Sequence, residues 1–182
     1  SNCEHGDFAA LKKYMEETNE GLIHTYNRFP VVFEKGEGVY LYDDEGKKYL
    51  DFAAGIAVCG LGYGNKKFTN ALKDQVDSLM HTSNLYYNTT CGKAASLLRK
   101  ASGMDKVFFT NSGTEAIEGV LKSARKYAWK KGTGRYEFIA MENSFHGRSI
   151  GAVSVTGTES YRTPFEPLIG GVKFAQFNDL ES

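Results

Sequence analysis

The 182-residue sequence lacks an excess of charge of either sign. Its 22 lysines and arginines balance its 22 aspartates and glutamates, and they are dispersed along the chain rather than clustered. Proteins that bind nucleic acid or an anionic membrane usually carry a basic patch. The charge pattern therefore predicts neither a nucleic-acid partner nor a membrane partner.

Long hydrophobic runs and closely spaced cysteines are also absent. No apolar stretch approaches the roughly 20 residues needed to cross a bilayer, and the polar residues 1–6 do not resemble the start of a signal peptide. The three cysteines, Cys3, Cys59 and Cys91, are far apart and form no C-x-x-C motif. This spacing argues against a disulfide scaffold or a structural zinc site. We therefore expect a cytoplasmic protein without a bound metal.

The most informative stretch of the sequence is residues 110–116 (TNSGTEA). The apolar residues 106–109 (KVFF) before it are typical of a buried strand, and the apolar residues after it recur at helical spacing until Gly132 and Gly134. The stretch is therefore predicted to be a tight strand-to-helix turn, where backbone N–H groups and the helix dipole favour a phosphate. A capped helix without a ligand is the alternative, because Ser and Thr are common N-cap residues.

Three residues of this turn are the predicted phosphate-binding residues. The backbone of Gly113 can approach an anion closely because it has no side chain. The N–H groups of Gly113 and Thr114 would then bind the phosphate, and the hydroxyl of Ser112 or Thr114 would add a donor.

Two further strands are predicted after the turn, at residues 136–141 (YEFIAM) and 172–175 (VKFA). A strand, a crossover helix and a second strand make a right-handed βαβ unit, and ligands of such units bind at the carboxyl ends of the strands. The loop of residues 142–149 would then lie at the same edge of the sheet as the phosphate turn.

The N-terminal part of the chain has a different pattern. Short strands are predicted at residues 31–33, 39–42 and 48–52, with glycines between them, which favours an antiparallel meander. Apolar residues at helical spacing predict a helix over residues 65–80 and another that ends at Gly103.

Three sequence motifs occur in a fixed order: residues 43–52 (DDEGKKYLDF), 111–116 (NSGTEA) and 144–148 (SFHGR). In this combination the chain resembles the class III pyridoxal-phosphate-dependent aminotransferases, and within them the acetylornithine aminotransferase branch, over residues 26–178. The resemblance implies an α/β fold, namely the N-terminal part of a fold type I transferase with a mainly parallel sheet flanked by helices and a small antiparallel meander. It places residues 1–63 in the N-terminal segment of the small domain and residues 64–182 in the first part of the large, cofactor-binding domain, and it implies that the C-terminal half of the enzyme is absent.

The resemblance also assigns roles to individual residues. Phe145 would stack on the ring of pyridoxal 5′-phosphate. Arg148 would bind the substrate carboxylate, which a planar guanidinium can grip with two hydrogen bonds. Ile56 and Tyr26 are further substrate-binding candidates. A core phenylalanine, a surface ion pair and a packed loop aromatic are the structural alternatives for Phe145, Arg148 and Tyr26.

The implied activity is transamination between N2-acetylornithine and 2-oxoglutarate in arginine biosynthesis, by a cytoplasmic homodimer that binds small amino acids and 2-oxo acids. Succinyl-diaminopimelate, ornithine and 4-aminobutyrate aminotransferases are neighbouring alternatives. The cofactor also needs a Schiff-base lysine and a carboxylate for its pyridine nitrogen, and no residue here matches either motif. Both are expected beyond Ser182, so the isolated chain is expected to be inactive. An inactive phosphate-binding fragment is the alternative from another functional class.

Overall fold

The computed structural model describes residues 8–182, which form two compact units. The first unit ends at Tyr86 and the second begins at Tyr87. The boundary between small and large domains, placed after residue 63 from the sequence, stays a prediction.

The first unit contains the N-terminal helix α1 (Phe8–Gly21) and a three-stranded antiparallel sheet in the order β1–β2–β3. Its strands are β1 (Phe33–Glu37), β2 (Tyr40–Asp43) and β3 (Lys48–Leu50). The predicted meander is thereby confirmed, although the first strand lies later in the chain than residues 31–33. The reason is Gly38, whose positive φ of 58° permits a two-residue hairpin loop, so that β1 continues to Glu37.

Two further helical segments complete the first unit. A single turn, α2 (Ala54–Ala57), follows the sheet, and the longer helix α3 (Lys66–Ser78) comes after it. The side chain of Asn65 accepts a hydrogen bond from the N–H of Phe68 at 3.1 Å and so caps α3. The predicted helix over residues 65–80 is confirmed to within two residues at each end.

The second unit combines three α-helices and two short 3₁₀ helices, Glu159–Tyr161 and Thr163–Phe165, with a two-stranded parallel sheet. Helices α4 (Thr89–Ser102) and α5 (Gly113–Lys130) precede β4 (Phe138–Met141), and α6 (Ile150–Ser154) lies between β4 and β5 (Val172–Ala175). Gly103 ends α4 in the left-handed conformation, as the sequence predicts. The buried residues gather around α6, namely Ala140, Gly147, Gly151, Ala152, Val153, Ser154, Val155 and Thr156.

Residues 106–109 do not form the strand predicted for them. A strand needs a hydrogen-bonded neighbour, and in the described part of the chain no strand pairs with this segment. Phe108 lies against α5 instead, where a Cβ placed on Gly119 would be 3.0 Å from its ring, and 76 % of Phe108 is exposed. The prediction of a βαβ unit from residues 106–109, α5 and β4 is therefore wrong. The parallel pair is β4–β5.

Arg125 attaches α5 to this sheet. Its guanidinium donates hydrogen bonds to the carbonyl oxygens of Tyr136 at 3.2 Å and Gly170 at 2.8 Å, just before β4 and β5. It also lies 5.2 Å from the centroid of the Phe138 ring. Arg125 therefore ties the C-terminal part of α5 to the segments that lead into both strands.

Cys59 and Cys91 are free thiols, and Cys3 lies outside the described residues. Within residues 8–182, no helix is both long enough and apolar enough to cross a membrane. The same residues contain no group of three or more histidine, cysteine, aspartate or glutamate side chains that could hold a metal ion.

Candidate functional site

The N-terminus of α5 is shaped by local hydrogen bonds. Ser112 is its N-cap: its Oγ accepts from the N–H of Glu115 at 3.2 Å and donates to Oε2 of the same residue at 2.8 Å. The hydroxyl of Thr110 donates to the carbonyl oxygen of Ser112 at 2.9 Å, which fixes the chain before the helix. The turn is thus held in place by its own side chains.

Two backbone donors at this helix end are available to a ligand. Gly113 and Thr114 are the first residues of α5, so their N–H groups have no acceptor within the helix. Across the described residues, none of the hydrogen bonds outside the helices uses these two groups. A Cβ placed on Gly113 would have no atom within 4 Å, so the space beside this backbone is open. These features fit a phosphate group.

The hydroxyls of Ser112 and Thr114 already have partners within the chain. Thr114 Oγ1 lies 2.8 Å from Ser149 Oγ and accepts from the N–H of Ser149 at 3.2 Å. The role of either hydroxyl as a phosphate donor stays a prediction, whereas the backbone N–H groups have no such competition.

The contacts between Thr114 and Ser149 also join the loop of residues 144–149 to the turn. The predicted proximity of these two motifs is therefore confirmed despite the missing strand.

Phe145 and Arg148 of this loop form an exposed aromatic–cationic cluster with Tyr161. Phe145 is 58 % exposed, and its ring meets that of Tyr161 edge-on with centroids 6.0 Å apart. The Arg148 guanidinium carbon lies 5.7 Å from the Phe145 centroid and 5.5 Å from that of Tyr161. Phe145 therefore offers an accessible ring, and Arg148 is oriented by two aromatic side chains. Sequence reasoning missed Tyr161, since only the fold brings it to the loop.

The backbone of the loop is fixed by residues that follow α6. The N–H of Gly157 donates to Ser144 Oγ at 3.0 Å, and the N–H of His146 donates to Thr156 Oγ1 at 3.0 Å. Thr156 is completely buried, and its hydroxyl donates to the carbonyl of Ala152 at 3.0 Å. The loop is therefore held from beneath while Phe145 and Arg148 remain at the surface.

Thr156→Val should lower the free energy of unfolding by about 1–3 kcal/mol, because the partly buried N–H of His146 would lose its acceptor. Urea denaturation measures the change, and amide exchange at His146 should become faster. Thr163→Val is the matched control, since Thr163 is exposed and its change should stay within about 0.5 kcal/mol. Equal stabilities of the two variants would contradict the proposed role of the Thr156 hydroxyl.

The two other substrate candidates, Ile56 and Tyr26, lie in the first unit. Ile56 is 91 % exposed on α2, where four consecutive residues have positive φ angles between 46° and 64°. This left-handed conformation is unusual for a β-branched residue. Tyr26 lines a cleft of about 580 Å³ together with His24 and Arg28. The substrate-binding roles of Ile56 and Tyr26 stay predictions.

Asp51 holds the backbone at the start of this left-handed turn. Its Oδ1 accepts from the N–H groups of Ala53 at 3.0 Å and Ala54 at 2.9 Å, and its Oδ2 accepts from the Tyr63 hydroxyl at 2.6 Å. The hydrogen bond from Tyr63 has the largest effect, and together with the backbone bonds it holds the pKa of Asp51 below its ordinary value. The same bond raises the pKa of Tyr63.

Tyr63→Phe should raise the pKa of Asp51 toward its ordinary value. A depressed pKa in the folded state contributes stability above the unfolded pKa, and this contribution is lost as the pH falls through the folded pKa. The variant should therefore lose less stability than the parent on acidification through this range. NMR titration of the Asp51 carboxyl group measures the shift, with Tyr40→Phe as a control that leaves Tyr63 in place. An unchanged Asp51 titration in Tyr63→Phe would contradict the assignment.

The chain is similar in sequence to known proteins of one family. The chain matches the Aminotransferase class-III family over residues 23–182. The acetylornithine aminotransferase of Aquifex aeolicus is 50 % identical over 162 residues, which cover 88 % of this chain and 43 % of that protein. The acetylornithine aminotransferase of Clostridium acetobutylicum is 52 % identical over 161 residues, which cover 88 % of this chain and 42 % of that protein.

Solved structures of aminotransferases are similar to the chain at lower sequence identity. The ornithine aminotransferase of Toxoplasma gondii ME49 has a TM-score of 0.87 and 28 % identity, covering 93 % of this chain and 41 % of that chain. An omega transaminase of Pseudomonas jessenii, in complex with PMP, has a TM-score of 0.80 and 29 % identity, covering 88 % and 38 %. The chain thus spans less than half the length of the proteins that it matches.

Proposed function

Because the chain belongs to the class III aminotransferases, we propose that it forms the cofactor-phosphate and substrate-carboxylate part of a pyridoxal-phosphate-dependent transaminase. The proposed substrates are N2-acetylornithine and 2-oxoglutarate, in arginine biosynthesis. The observation that carries the proposal is the joining of two features by Thr114 and Ser149: the open N–H groups at the start of α5, and the loop that presents Phe145 and Arg148. The similarity to acetylornithine aminotransferases, which share about half of their aligned residues with this chain, favours N2-acetylornithine over ornithine, succinyl-diaminopimelate and 4-aminobutyrate.

Each part of the cofactor would meet a different feature of this site. The N–H groups of Gly113 and Thr114 would hold the phosphate, and the positive end of the α5 dipole adds about 0.3–1 kcal/mol for an anion. The exposed ring of Phe145 would support the pyridine ring. When bound, the cofactor would supply the electron-withdrawing ring on which an amino group passes between substrates.

Arg148 would bind the α-carboxylate of N2-acetylornithine, whose reacting amine is at the opposite end of the molecule. In 2-oxoglutarate the reacting carbonyl is next to the α-carboxylate, so Arg148 would bind the carboxylate at the other end, which places the reacting carbon at a similar distance. A bidentate guanidinium–carboxylate contact fixes both distance and direction. The aromatic rings of Phe145 and Tyr161 beside Arg148 limit the orientations that its guanidinium can adopt.

The remaining catalytic groups would come from a longer polypeptide. The matched relatives are more than twice as long as the region that they share with this chain. We propose that the Schiff-base lysine and the carboxylate for the pyridine nitrogen lie in that additional sequence, and that the complete enzyme is a cytoplasmic homodimer. The 182 residues alone would then be inactive.

The test uses the protein isolated from its source. After borohydride reduction, a covalent cofactor adduct on a polypeptide longer than 182 residues supports the proposal. Turnover should be faster with N2-acetylornithine than with ornithine, succinyl-diaminopimelate or 4-aminobutyrate. A single species with the mass of this chain and no adduct would contradict catalysis and favour a phosphate-binding fragment. Faster turnover of another amine would contradict the proposed substrate.

A further inference from the structure

Ser149 connects the loop of residues 144–149 to α5, the helix that would bind the phosphate. It directly follows Arg148 and is the N-cap of α6. Its N–H donates to Thr114 Oγ1 at 3.2 Å, and its Oγ lies 2.8 Å from the same oxygen. One residue therefore makes two contacts with the second residue of α5.

Glu118 completes the connection one turn further along α5. Its Oε1 accepts from Ser149 Oγ at 2.6 Å and from the N–H of Ala152 at 3.2 Å. A Cβ placed on Gly151 would lie 2.6 Å from the Glu118 carboxyl carbon, so α6 packs directly against this carboxylate. Glu118 therefore holds the first turn of α6 as well as the Ser149 side chain.

Only one assignment of donors and acceptors is consistent with this network. An ionised carboxylate can only accept, so the Ser149 hydroxyl donates to Glu118. The Ser149 oxygen is then free to accept, so the Thr114 hydroxyl donates to it. The Thr114 oxygen in turn accepts the Ser149 N–H. The hydroxyls of Thr114 and Ser149, the Ser149 N–H and Glu118 Oε1 all have partners within the chain, and polar groups joined in this way make a structure more rigid.

We propose that Ser149 and Glu118 are positioning residues, which hold Phe145 and Arg148 at a fixed place relative to the N–H groups of Gly113 and Thr114. This inference rests on the proposed function. It follows from the way the loop is attached. Its beginning is fixed through Ser144 and His146, whereas its end is fixed to α5 through Ser149.

The network fixes the distance between the phosphate donors and the ring of Phe145 before any ligand binds. The N–H groups of Gly113 and Thr114 are fixed by the Ser112 cap, which does not involve Ser149. Loss of the Ser149 hydroxyl should therefore release the loop but leave the phosphate donors in place. A ligand that contacts only the donors should bind as before, and a ligand that also contacts Phe145 should bind more weakly.

The experiment compares two phosphate monoesters on the full 182-residue chain. O-phosphoethanolamine has the phosphate without a ring, and pyridoxamine 5′-phosphate has both. NMR titrations that follow the amide signals of Gly113 and Thr114 give both affinities. An aromatic contact predicts that the parent chain binds pyridoxamine 5′-phosphate about threefold to tenfold more tightly.

Ser149→Ala should remove most of this preference while leaving the O-phosphoethanolamine affinity within about twofold of the parent, because the α5 donors are unchanged. Ser149→Thr, which keeps the hydroxyl, should restore the preference. Glu118→Gln should act in the same direction as Ser149→Ala. Its matched control is Glu137→Gln, since Glu137 is exposed and pairs with Lys173 at 3.1 Å, away from the network.

The other outcomes separate the two proposals. Equal weakening of both ligands in Ser149→Ala would show a general structural role and overturn the positioning inference, as would a Ser149→Ala variant that behaves like the parent. A parent chain that shows no preference for the ring, or that binds neither ligand, would instead contradict the proposed function, and the positioning inference would fall with it.

Discussion

Gly147→Ala is expected to lower the free energy of unfolding by about 2–4 kcal/mol, from strain at a positive φ together with overpacking. Gly147 is buried and has a φ of 138°, a value that residues with a Cβ rarely adopt. A Cβ at this position would lie 2.7 Å from that of Thr114 and 2.9 Å from that of Ala152. Urea denaturation of the 182-residue chain measures the loss. The substitution should also push the loop of residues 144–149 away from α5.

Gly113→Ala is the matched control for this variant. Nothing lies within 4 Å of a Cβ at Gly113, so its stability should change by no more than about 0.5 kcal/mol. The added methyl group would instead occupy the space beside the phosphate donors and weaken phosphate binding. A Gly147→Ala protein as stable as Gly113→Ala would contradict the close packing of the loop on Thr114.

Arg148→Ala is expected to reduce kcat/KM by about tenfold to a hundredfold in the complete enzyme isolated from its source. A hydrogen bond to a charged group contributes about 1.5–3 kcal/mol, and Arg148 would lose its contact with the substrate carboxylate. Cofactor absorbance should stay at the parent level, because the phosphate donors and Phe145 remain. Steady-state kinetics and absorbance spectra of the same preparations measure both effects.

Arg135→Ala is the control, since Arg135 is an exposed arginine of the same unit outside the cluster with Phe145 and Tyr161. Its kinetics should match those of the parent. Loss of cofactor absorbance in Arg148→Ala would show that Arg148 supports the cofactor rather than the substrate. Parent-like kcat/KM in that variant would remove Arg148 from the substrate site.

Local sequence signals predicted much of the fold. The capping residue Ser112, the ending of α4 at Gly103 and the alternation of strands and glycines in the meander all act over a few residues, so the sequence alone contains them. The proximity of the two motifs was predicted from a βαβ unit that does not form, and contacts between Thr114 and Ser149 bring the motifs together instead.

Pairing and side-chain contacts over long sequence distances were not predictable in this way. Residues 106–109 have strand-like composition, but whether they form a strand depends on a neighbour that no local pattern encodes. Tyr161 and Glu118 look like ordinary surface residues in the sequence. The fold brings Tyr161 to Arg148 and Glu118 to Ser149 across 31 positions.

The attachment of α5 at both ends limits how the length of this helix can change in evolution. Thr114, Glu118 and Arg125 make its contacts with the loop and the sheet. At 3.6 residues per turn these three positions lie within about 40° of one another on one face of the helix. One inserted residue between Glu118 and Arg125 would rotate one end against the other by about 100° and move it by about 1.5 Å. Substitutions on the opposite face are therefore compatible with the site, whereas single-residue insertions and deletions between residues 114 and 125 are not.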